Sequence, residues 1–101
     1  MIVKQENRNG ALVLRLIGEL DHHSADSVRD AADAAIAGDN VRQVVFDLTY
    51  MSFMDSAGIG VLLGRYKQLA RRRIPVYIAH PADVVDRILR MSGVYKVIKR
   101  I

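Results

Sequence analysis

The chain has 101 residues, 50% of them hydrophobic and 26% charged, with a net charge of +4 and a pI near 9.8. That is the length of one domain, spanning 1–101, with enough aliphatic residues for a single core, and it excludes a disordered chain. The absence of cysteine excludes disulfides, cysteine-ligated zinc and thiol nucleophiles, and no apolar run reaches the ~20 residues of a membrane helix.

The first residues, Met1 to Glu6, lack the basic-then-apolar layout of a signal peptide, so a cytoplasmic protein is expected. Ile2 to Gln5 reads as a strand. Asn7-Arg8-Asn9-Gly10 reads as a hairpin turn leading into a second strand over Ala11–Ile17. Gly18 to His23 is then a loop. Ser24 is a good N-cap for a helix whose apolar stripe is Ala25, Val28, Ala31 or Ala32, Ala35 and Ile36, stopped by Gly38-Asp39-Asn40. Val41 to Leu48 reads as a strand, with Val44-Val45-Phe46 near-continuously apolar, as a strand buried on both faces would be. A second helix is predicted from Ser56 to about Arg71, with Ile59, Leu62, Leu63, Tyr66 and Leu69 on one face. Arg71-Arg72-Arg73 closes it, where cations complement the negative end of a helix dipole. That accounts for the basic run better than nucleic-acid or membrane binding, since no aromatic residue or recognition motif accompanies it.

Ile74–Ala79 is the next strand. Pro81 opens a third helix with Val84, Val85, Ile88, Leu89 and Met91 on its apolar side, ended by Ser92-Gly93. A last short strand is expected at Val97–Lys99. The order β-β-α-β-α-β-α-β predicts an α/β fold with a mixed, mostly parallel sheet of four to five strands and helices packed on it. In such sheets ligands and partners meet the loops at the carboxyl ends of the strands, here Gly18–His23 and Thr49–Ser56. Sequence does not say whether those loops are neighbours.

The second of them carries the chemistry. Ser56 at a helix start is open to four roles: a helix N-cap, a hydrolase nucleophile, part of a nucleotide site, or a phosphoacceptor on a protein-binding surface. Met54-Asp55-Ser56-Ala57-Gly58 lacks the first glycine of a nucleophile elbow. His22, His23 and His80 are the only candidate bases, and His22 and His23 precede the serine in the wrong order for that fold. Gly58-Ile59-Gly60 is only a fragment of a dinucleotide fingerprint. A phosphate on Ser56 would add about −1.5 to −2 charges, which the dipole and free N–H groups of a helix start would tolerate. Adjacent His22 and His23 do not make a metal site, because their side chains would diverge and further ligands are missing. No cofactor, metal or catalysis is expected.

Phe53-Met54-Asp55-Ser56-Ala57-Gly58-Ile59-Gly60-Val61-Leu62-Leu63-Gly64-Arg65-Tyr66-Lys67 resembles the phosphorylation segment of the STAS-domain family of bacterial anti-sigma factor antagonists. Gly18-Glu19-Leu20-Asp21-His22-His23-Ser24 resembles that family's first loop, and Met91 to Ile98 its final segment. The combination is most similar to the branch that acts on the anti-sigma F factor of spore-forming bacteria. The resemblance implies a STAS fold and a partner-switching role in sporulation. The unphosphorylated protein would bind an anti-sigma factor that is also a serine kinase, using its own ATP, and so free the sigma factor. Phosphorylation of Ser56 would release the partner, and a serine phosphatase would reverse it. The implied partner-facing residues are Asp21, His22, His23, Met54, Asp55, Ala57, Gly58, Ile59, Gly60, Leu63, Gly64 and Arg65, on a monomer. The alternative is a constitutive STAS interaction module of a stress-response or transport assembly, with a serine that is never modified. Gly58, Gly60 and Gly64 could admit a partner's backbone or let the helix close on its own sheet. Arg65 could meet an acidic partner group or be a solvated helix charge.

Overall fold

Asn9 and Gly10 both have positive φ, 56° and 96°, the left-handed pair that a two-residue hairpin requires for its twist to match the strands. In the computed structural model, which describes Met1–Ile101, they join β1 (Ile2–Arg8) to β2 (Ala11–Leu20) in antiparallel register, Arg8 opposite Ala11 and Ile2 opposite Ile17. Both strands outrun the sequence expectation. Gly18, Glu19 and Leu20, expected in a loop, continue β2 because they find a partner strand of their own.

That partner is the one strand the sequence did not reveal. The chain continues through α1 (Ala25–Ile36), β3 (Gln43–Asp47), β4 (Met51–Met54), α2 (Ser56–Arg71), β5 (Val76–Ala79), α3 (Asp83–Ser92), a 3-10 turn at Val94–Lys96 and β6 (Lys99–Arg100). The sheet runs β1-β2-β3-β5-β6, with β4 also on β2. All pairings except β1 with β2 are parallel. The sheet thus has six strands, where four to five were expected.

The ten residues of β2 are shared. Ala11–Arg15 pair with β3, and Gly18–Leu20 pair with β4, with a register shift between Gly18 and Glu19. The chain turns at Thr49 and Tyr50 between the two pairings. Asp47 holds the turn, accepting bonds from the Thr49 N–H (3.0 Å) and hydroxyl (2.6 Å) and from Arg15 Nε (3.0 Å). Desolvation works to raise the Asp47 pKa. The bonds from Thr49 and Arg15 outweigh it and hold the carboxyl below its ordinary value.

Leu12, Leu14 and Leu16 are buried while the alternating Val13, Arg15 and Ile17 are only half-buried, so the helices cover one face of the sheet. Val28, Ala32 and Ile36 of α1, Leu62 and Leu69 of α2 and Val85 and Leu89 of α3 complete the core with Phe46 and Ile78. Ala31, one of two alternatives for the α1 stripe, is exposed. Gly93, at φ 82°, ends α3 as expected. The last strand is displaced: β6 is Lys99–Arg100, and Ile98 is fully buried. The arginine run has a more particular use than dipole matching, because Arg72 Nη1 donates to the Ile36 carbonyl (2.8 Å), capping the end of α1. No helix is long and apolar enough to cross a membrane.

Candidate functional site

Parallel pairing of β2 with β4 brings the two loops together. Leu20 lies opposite Met54, and the Asp55 N–H donates to the Leu20 carbonyl at 3.3 Å. Asp21 to His23 and Asp55 to Ser56 therefore emerge side by side at the carboxyl ends of parallel strands, where open α/β sheets place their sites.

The cap of α2 is Asp55, not Ser56. Asp55 has extended backbone (φ −116°, ψ −170°), and its Oδ1 accepts the N–H groups of Ala57 (2.9 Å) and Gly58 (3.2 Å). Ser56 is the first helical residue and is exposed. This corrects the capping role considered for its hydroxyl. It also corrects the expectation of free amides for a phosphate, since Asp55 already occupies the next two. Asp55 Oδ2 accepts the His22 N–H (3.1 Å) and lies 3.3 Å from His22 Nδ1. Partial desolvation tends to raise the Asp55 pKa. The bonds from Gly58, His22 and Ala57 prevail and hold it below the ordinary value.

The neighbouring loop is built the same way. Asp21 Oδ1 accepts the N–H groups of His23 (2.9 Å) and Ser24 (3.1 Å), and the Ser24 hydroxyl accepts the Asp21 N–H (3.1 Å) while donating to the Glu19 carbonyl (2.9 Å). Ser24 occupies the N-cap position of α1 without a side-chain cap bond, because its hydroxyl is spent on the loop. Desolvation of Asp21 is again outweighed by bonds from Ser24 and His23, and its pKa is lowered. The two carboxylates are thus ionised and fixed. The rings of His22 and His23 do not diverge as expected: their centroids are 4.0 Å apart. No group of three or more His, Asp or Glu side chains gathers as a metal site would require.

The implied partner-facing residues divide. A Cβ at Gly58 would fall 2.6 Å from the Leu20 carbonyl oxygen and 2.7 Å from Met54 Cγ, so this glycine lets α2 close on its own sheet. Gly60 and Gly64 meet nothing within 4 Å and lie open. Met54 is fully buried in the core. Ala57, Ile59 and Leu63 are half-buried; His22 and His23 are exposed.

Arg65 is neither a solvated charge nor free. Its side chain is 8% exposed, and Nε lies 3.0 Å from Asp33 Oδ1 on α1. The contact is an ion pair off hydrogen-bond alignment, and Nη1 is buried without a partner.

Three residues of α3 that the sequence assigned to the core or to a helix end border the same place. Ile88, Met91 and Ser92 face Asp55, Ser56 and Ile59 across a shallow groove of about 400 Å³. Met91 is 82% exposed. Its helical spacing marked it as apolar, but spacing does not separate a covered apolar residue from an uncovered one.

The mixed sheet, the helices on one face and the paired Asp21 and Asp55 loops define a STAS domain: residues 2–101 match that family, and the chain belongs to it. Among particular relatives, it is similar to the anti-sigma F factor antagonist of Paenibacillus polymyxa, 40% identical over 95 residues that cover 94% of this chain and 81% of the relative. Among solved structures, it is similar to the anti-sigma factor antagonist SpoIIAA in its unphosphorylated form (TM-score 0.83, 29% identity, covering 99% of this chain and 88% of that one). It is also similar to the Bacillus cell fate determinant SpoIIAA in the phosphorylated form (TM-score 0.74, 28% identity, covering 99% and 91%).

Proposed function

We propose that this chain is an anti-sigma factor antagonist controlled by phosphorylation of Ser56 during sporulation. The unphosphorylated form binds an anti-sigma factor that is also a serine kinase and displaces the sigma factor. The docking surface is the Asp21–His23 loop with the open side of α2 at Ile59, Gly60 and Gly64. The kinase transfers the γ-phosphoryl group of its own ATP to Ser56 Oγ. The bond to ADP breaks, and the serine proton leaves to a base on the kinase. A phosphatase hydrolyses the product.

The observation that carries this reading is the cap. Because Asp55 satisfies the helix start, the Ser56 hydroxyl is exposed and free to react without cost to the fold. The names of the relatives point the same way, and a phosphorylated form exists for SpoIIAA. A phosphoryl group beside the ionised Asp55 gains little from α2. A partner packed over it would bury an unpaired dianion, at about 3–5 kcal/mol, or roughly a hundredfold to several thousandfold in affinity. The switch then acts on the complex, not on the domain.

Titration calorimetry of the purified cognate anti-sigma factor against Ser56→Ala and Ser56→Asp tests this. The alanine variant is expected to bind and the aspartate variant to fail, both melting near wild type. Wild-type affinity in Ser56→Asp would refute it.

A further inference from the structure

We propose that the groove between the start of α2 and the end of α3 receives an apolar side chain of the anti-sigma factor, next to a basic residue of that partner that meets Asp55. The proposal rests on the function proposed above and extends its docking surface onto α3.

The groove is bounded by Asp55, Ser56 and Ile59 on one side and Ile88, Met91 and Ser92 on the other. Met91 is not needed to hold α3, because Val85 and Leu89, both fully buried, already anchor that helix in the core. It lies in the last turn before Gly93 ends the helix, and nothing from this chain covers it. An unbranched, polarisable methionine adapts to side chains of different shape.

Charge narrows the occupant. Asp55 is ionised at the groove's edge, Asp21 lies in the adjoining loop, and no cation lines the groove. Its rim therefore suits an apolar group with a positive neighbour. Ser56 stands at the same rim. With the groove filled, a phosphoryl group there is pressed against carbon instead of water, which makes this the place where phosphorylation is sensed.

The test is calorimetric binding of the purified cognate anti-sigma factor to the full chain and to Met91→Glu, Met91→Leu and Val84→Glu. Val84 is 59% exposed on the same helix but does not line the groove. Met91→Glu is expected to weaken binding about tenfold or more with an unchanged melting temperature. Met91→Leu should stay within about threefold, and Val84→Glu should bind as wild type. Wild-type affinity in Met91→Glu, while Ser56→Asp still abolishes binding, overturns the groove and leaves the proposed function standing. Equal weakening by Val84→Glu overturns it too, by showing a general charge effect. A wild-type dimer that Met91→Glu dissolves without touching anti-sigma factor binding assigns the groove to a second copy. Absence of binding by the wild type itself overturns the function and the groove together.

Discussion

Alanine in place of Gly58 sets helix propensity against packing. Alanine gains up to about 1 kcal/mol over glycine inside a helix, and less in the first turn, where Gly58 lies. Against that, the new Cβ would sit 2.6 Å from the Leu20 carbonyl oxygen, 2.7 Å from Met54 Cγ and 2.9 Å from Leu20 Cγ, where ordinary contacts are about 3.5–4.0 Å. The side-chain atoms can turn away. The carbonyl cannot, because it accepts the Asp55 N–H and belongs to the β2–β4 pairing. Overpacking of this kind costs about 1–3 kcal/mol, so the net loss is about 1–2 kcal/mol, or roughly 5–15 °C of melting temperature for a domain this size. Gly60→Ala and Gly64→Ala meet nothing within 4 Å and should each gain up to about 1 kcal/mol. Thermal unfolding followed by circular dichroism compares the three. A Gly58→Ala protein that melts at or above wild type would refute the packing argument.

Asp33→Ala strands the buried Arg65 guanidinium and should cost about 1–3 kcal/mol in urea unfolding, discounted because Asp33 is itself partly exposed. Arg65→Met, which removes the buried charge and leaves a partly exposed aspartate with only Oδ1 buried, should cost less; the reverse order would contradict the pairing. The Tyr95 hydroxyl, Arg90 and Arg100 hold the Asp86 carboxyl down to about 2. Its contribution to stability is present above the unfolded value of about 3.9 and is lost as pH falls toward 2. Burial, with the Asp86 bond, pushes the Tyr95 phenol up to about 12, so its contribution is present below about 10 and is lost as pH rises toward 12. Asp86→Asn should reduce the slope of melting temperature against pH in the acid window and, more weakly, in the alkaline one. An unchanged acid slope would contradict the assignment.

Local signals carried most of the fold. Asn7-Arg8-Asn9-Gly10 marked the hairpin, though only Asn9 and Gly10 form its turn, Gly93 ended α3, and the spacing of α2 gave both of its ends. The expectation failed where the deciding partner lies elsewhere in the chain. β4 is four residues long and exists because β2 extends past its pairing with β3. Asp55 and Ser56 are both good caps by type, and only the extended backbone at Asp55 makes it the cap. Arg65 reads as a surface charge until α1 brings Asp33 beside it. In the site, Ser56, Asp21 and Asp55 were legible as motif residues. Their adjacency and the α3 wall with Ile88 and Met91 were not, because both depend on which elements the sheet makes neighbours.

The most direct test of the account is the intact mass of the chain after incubation with the cognate anti-sigma kinase and ATP, wild type beside Ser56→Ala. One phosphoryl group on the wild type, none on the variant, and loss of kinase binding by the modified protein are the expected results. Binding of the kinase by both proteins with no phosphate on either would contradict it.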